Sequence, residues 1–81
     1  PFNQSTIFEI NLLAAGHFSL DIFNLQGQKI ITLQNQNLSA GAHRTVWHGY
    51  DGRGQSLPSG LYWARAVTPE RVTTVKLLLL R

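Results

Sequence analysis

The sequence predicts an all-β chain: an antiparallel sandwich of six or seven short strands. Three observations point there. Apolar and polar residues alternate with a period of two in segment after segment, the segments are rich in β-branched and aromatic residues, and Gly or Pro turn signals separate them. No stretch sustains the 3.6-residue apolar stripe of an amphipathic helix.

The elements follow in order. "STIFEINL" sets Thr6, Phe8, Ile10 and Leu12 on one face and Ile7, Glu9 and Asn11 on the other. "HFSLDIF" sets Phe18, Leu20 and Ile22 against Ser19 and Asp21. "QKIITLQ" breaks the alternation: Ile30 and Leu33 both read as core residues, yet their odd separation puts them on opposite faces. A bulge or a bend reconciles them, with Ile31 facing outward. "HRTVWH" sets His43, Thr45 and Trp47 against Arg44, Val46 and His48, and "LYWARAV" sets Tyr62, Ala64 and Ala66 against Trp63, Arg65 and Val67. The closing "VKLLLLR" reads as a last strand. With Lys76 in solvent, Val75, Leu77 and Leu79 face the core and Leu78 and Leu80 face out. Short connections around Gly16, Gly27, Gly41 and Pro69 suit antiparallel neighbours, and the glycine-rich "GYDGRGQSLPSG" is a surface loop.

The 81 residues make one domain. Its opening at "PFNQST" is that of a piece excised from a longer protein, so residues 1–81 are expected to be a single module of a larger secreted chain. The leucine run is far shorter than the roughly 20 apolar residues of a bilayer span, so no membrane insertion is expected. There is no cysteine, hence no disulfide and no thiolate chemistry. Seven Lys and Arg against four Asp and Glu give a net charge of +3. The basic residues are scattered singly, which argues against nucleic acid.

Candidate chemistry is sparse. His43 and His48 point to opposite faces, His17 opens another strand, and carboxylates are few, so no metal is expected. "DGRG" lacks the alternating ligands and closing Glu of a calcium loop, and no helix follows Gly52 and Gly54 to make a phosphate cradle. Asp51 there is expected to accept backbone N–H bonds within a tight loop. No nucleophile–base pattern stands out, so the chain reads as neither an enzyme nor a cofactor binder. Asn3-Gln4-Ser5 and Asn37-Leu38-Ser39 fit the N-glycosylation pattern, which has meaning only in a host that reads it.

Four stretches together carry a resemblance. "PFNQSTIFEINL" before Gly16, "LDIFNLQGQKIITL", "LSAGAHRTVWHGYDGRGQSLPSGLYWARA" and "VTTVKLLLLR" resemble the successive motifs of the C-terminal sorting domain of the type IX (Por) secretion system. They are similar also to the Ig-like domain of the flagellar hook-capping protein. The matching positions include Gly41, His43, Trp47, Gly49, Asp51, Gly54, Ser59, Gly60 and Tyr62, and the resemblance covers essentially the whole chain. Departures include Gln4 and Leu13 where proline is usual and His48 where aspartate is usual.

The resemblance implies a seven-stranded Ig-like (fibronectin-III-like) sandwich at the C-terminal end of an exported protein. Its role would be secretion sorting and anchoring at the outer cell surface, after passage through the periplasm of a Gram-negative bacterium. The implied partners are secretion machinery proteins and the upstream domain of the same chain, with the isolated domain monomeric. The expected partner-binding face is the outward apolar set Phe23, Ile31, Trp63, Lys76, Leu78 and Leu80. A covering loop or upstream domain is the other reading of that set. A competing function is an accessory carbohydrate-binding or adhesive module, with Trp63 and Tyr50 as a platform for polysaccharide.

Overall fold

A computed structural model describes residues 5–80. The strands are β1 (Thr6–Leu12), β2 (Gly16–Phe23), β3 (Lys29–Leu38), β4 (Gly41–Trp47), β5 (Gly60–Val67) and β6 (Val72–Leu79). No helix occurs among the described residues. Strands β1 and β4 form one antiparallel sheet, and the order β3-β2-β5-β6 forms the other. The six strands are one fewer than the seven the resemblance implies.

Alternation sets the faces as the sequence implies. In β1 the half-buried or buried Thr6, Phe8, Ile10 and Leu12 alternate with exposed Ile7, Glu9 and Asn11. Buried Phe18, Leu20 and Ile22 of β2 meet Trp47 of β4, Tyr62 and Ala64 of β5 and Leu79 of β6 in one apolar cluster. Trp47 and Tyr62 meet edge to face, ring centres 5.6 Å apart. Such a contact adds about 0.5–1.5 kcal/mol to the area the rings bury. Both polar tips are satisfied: Trp47 Nε1–H donates to Tyr50 O at 3.0 Å and Tyr62 O–H donates to Pro58 O at 2.7 Å. These two bonds tie the long β4–β5 loop to the core beneath it.

Strand β3 carries the irregularity its sequence requires. The β2–β3 register shifts between Leu20 and Asp21 and again between Ile22 and Phe23. The shifts let Ile30 and Leu33 both pack on the core cluster. They also turn Ile31 inward: it stands opposite buried Ile22, and residues directly opposite share a face. The outward placement of Ile31 is therefore corrected. Two bulges, not one, reset the strand's phase.

The two long sides of the sandwich differ. Along β3 and β4, Gln34 Nε2–H donates to Thr45 Oγ1 at 3.0 Å, and Gln36 Nε2–H donates to Gln34 Oε1 at 2.6 Å. The first of these bonds bridges the two sheets on that side. Along β1 and β6 the side is open, with a groove of about 550 Å3 over Phe18, Leu20, Ala64 and Ala66. Val75 lies on the core side of β6 as expected, yet it is 44% exposed, because β1 does not reach across to cover it.

Candidate functional site

The outer face of the four-stranded sheet is the surface on which the expected partner-binding residues fall. Register fixes its rows. Lys29, Phe23, Trp63 and Lys76 stand side by side across β3, β2, β5 and β6. The next row runs Thr32, Asp21, Arg65 and Thr74, and Leu61 pairs with Leu78 on the other flank. Five of the six expected residues thus share this outer side, and Ile31 does not.

The two aromatics, Phe23 and Trp63, are half-buried. Lys76 Nζ sits 5.2 Å from the centre of the Trp63 ring, a cation–π contact that fixes the ammonium and covers the indole. The apolar exposure lies further along the strand: Leu78 is 56% and Leu80 51% exposed. Neither belongs to the buried core cluster.

Asp21 belongs to the same face, outward as the alternation implies, though nothing in the sequence assigned it a part in the site. It is buried among its neighbours, with Thr32 Oγ1–H donating to its Oδ1 at 2.6 Å and Lys29 Nζ at 3.8 Å. An acid in a strand's outward register, flanked by a Thr and a Lys on the next strand, is the available signal. Reading it needs the bulged β2–β3 register. With Asp21 paired to Lys29, Arg65 and Lys76 leave the face positively charged.

The long loop does what its residues imply. Asp51 Oδ1 accepts from the N–H groups of Arg53 and Gln55, both at 2.9 Å. Backbone bonds Asp51 N–H to Gln55 O and Gly54 N–H to Asp51 O close the turn. The β2–β3 connection repeats it: Asn24 Oδ1 accepts from Gln26 and Gln28 N–H, both at 3.0 Å, and Gly27 N–H bonds Asn24 O. Gly27 and Gly54 occupy the same left-handed position, φ 86° and 83°. "NLQGQ" and "DGRGQ" are one turn used twice. Gly52 N–H donates to Ile30 O at 3.1 Å, tying the long loop to the start of β3 beside an open cleft of about 840 Å3. The carboxylate of Asp51 is spent on its own backbone.

The remaining sequence candidates are dispersed. His17 bonds Asn35 and Asn37 across β2 and β3, His43 bonds Ser39 O, and His48 bonds Ser5. Among the described residues no three His, Asp or Glu gather as a metal site would require. Tyr50 lies in the β4–β5 loop, bridged to Ser56, whereas Trp63 lies on the outer sheet face. The structure therefore puts the two rings of the expected sugar platform on different parts of the fold. Asn37 of the second glycosylation pattern is exposed at the end of β3, and Asn3 of the first lies outside the described residues.

Comparison with known proteins agrees with this architecture. A solved structure, the crystal structure of FlgD from P. aeruginosa, matches with a TM-score of 0.69 at 22% identity. The match covers 94% of this chain and 60% of that one, so the chain spans about three fifths of that structure's length. No curated protein matches the sequence. A family model of the FlgD Ig-like domain matches residues 3–70, most of the chain. The chain belongs to the FlgD Ig-like domain family.

Proposed function

We propose that the chain is a C-terminal secretion-sorting and cell-surface anchoring module of a larger exported protein, read by type IX secretion machinery. One observation carries the reading. Edge strand β6 contains residues 76–79 of the ending that resembles the sorting domain's closing motif, and Leu78 on its outer face and Leu80 just beyond it are about half exposed. Apolar side chains that a small domain leaves in water along one strand suit recognition by another protein. On this reading the module passes through the periplasm of a Gram-negative bacterium and acts at the outer surface. Its partners are secretion machinery proteins and the upstream domain of its own chain.

The family match favours a second reading, a structural module of flagellar hook-cap type. A reporter fused ahead of the chain separates the two. In a host carrying type IX machinery, sorting predicts surface display of the fusion and periplasmic retention of the reporter alone. Equal retention of both would overturn the sorting reading and leave the hook-cap one. The carbohydrate reading is tested by titration with a panel of polysaccharides: binding lost on Trp63→Ala would favour it.

A further inference from the structure

β6 is an edge strand with few of the usual protections. It pairs with β5 over eight consecutive residues, Gly60↔Leu79 through Val67↔Val72, with no bulge. No Pro or Gly interrupts it, and Lys76 is its one charge. Sheets usually blunt their edges with bulges, prolines or charge, because a row of unpaired N–H and C=O groups is a template for another strand. The opposite edge of the same sheet, β3, has both register shifts and a polar Gln34-Asn35-Gln36-Asn37 run.

Apolar exposure is concentrated on this same edge. Of the nine large apolar side chains exposed among the described residues, Val72, Val75, Leu78 and Leu80 lie on or next to β6. They lie on both faces: Leu78 on the outer one, Val75 on the inner one beside the open groove. A strand added to the edge would cover both faces at once.

Lys76 decides what kind of strand. Two β6 strands pairing antiparallel, with opposed residues on a shared face, have two registers of greatest overlap. One sets Lys76 opposite Lys76, and the other makes the two lysines diagonal neighbours across the pair. No acid on the strand relieves either arrangement, and like charges opposed across a sheet are destabilising.

We infer that the free edge of β6 receives an extended segment of a partner protein. That segment carries an acidic side chain opposite Lys76 and aliphatic side chains opposite Val75 and Leu78. Main-chain bonds supply the affinity and alternate side chains the selectivity. The inference rests on the reading of β6 as the recognised element and names the chemistry of its partner.

The test uses this chain and two synthetic peptides of about eight residues, the length of β6. Both carry valine on both faces and threonine at the ends; one carries glutamate at the central outward position and the other lysine. Amide exchange followed by NMR should show new protection on alternate residues of Val72–Leu79 with the glutamate peptide. The lysine peptide should bind about fivefold more weakly. Lys76→Glu, an exposed change whose fold is checked by the same spectra, should reverse the preference. Protection confined to β1, equal binding of the two peptides, or no protection at millimolar peptide would overturn the inference. So would a concentration-dependent dimer protecting the same amides without peptide, which would assign the edge to a second copy. Its failure is distinguishable from failure of the sorting reading: a fusion displayed normally by a domain that binds neither peptide sinks this inference alone, and a peptide-binding domain that sorts nothing sinks the other.

Discussion

Removing the Trp47 indole takes out the largest fully buried side chain and breaks the Nε1–H bond that holds the β4–β5 loop. Trp47→Ala is expected to cost about 3–5 kcal/mol. A domain of this length has only about 4–12 kcal/mol of stability, so urea unfolding should begin at low denaturant or the variant should not fold. At Gly16 the constraint is a neighbour. A Cβ there would lie 2.7 Å from Pro69 Cγ, inside contact distance of a rigid ring. Gly16→Ala should destabilise by about 1–3 kcal/mol, and a Pro69→Ala background should recover most of the loss. Legibility at this scale followed chemistry. Trp47 and Tyr62 announced themselves by size and alternation, and Asp51 by its turn context. Ile31 did not, because its direction depends on two bulges whose positions are set by pairing with β2.

At the scale of elements, the repeated five-residue turn gives a matched pair of experiments. Asp51→Ala and Asn24→Ala each leave two backbone N–H groups without their acceptor. Each should cost about 1–2 kcal/mol. Asp51→Asn should be nearly silent, since Asn24 performs the same task in the same geometry. Thermal melts of the three variants test this. A melting point for Asp51→Asn as low as that of Asp51→Ala would show that the charge, and not the acceptor, matters. The loop's role was visible in the sequence because Asp with Gly three positions on has few uses. Its twin at Asn24 was equally visible but shows as a copy only once the hydrogen bonds are compared. Strand β6 was read in the correct phase from one lysine. What the alternation of Val75, Leu77 and Leu79 could not reveal was their unequal cover: Leu79 is 2% exposed and Val75 44%. A strand's pattern tells which side a residue faces and not whether anything lies there.

Across the whole molecule, one side of the sandwich is bridged by the Gln34–Thr45 bond and the other is left open between β1 and β6. The sandwich class was legible because period-two alternation and turn spacing are local. The open side was not, because it depends on which strands find partners. Circular dichroism should show β-sheet with negligible helix, and a helical content near a third would contradict the fold.

On the sorting reading, the outer face of β6 carries the function and contributes little to the fold. Leu78→Ser with Leu80→Ser tests it most directly. Both side chains are about half exposed, so the double variant should keep its stability to within about 0.5 kcal/mol. Leu77 and Leu79 stay in place. In the reporter fusion, the account predicts a folded double variant whose reporter accumulates in the periplasm. Normal surface display by that folded variant would contradict it.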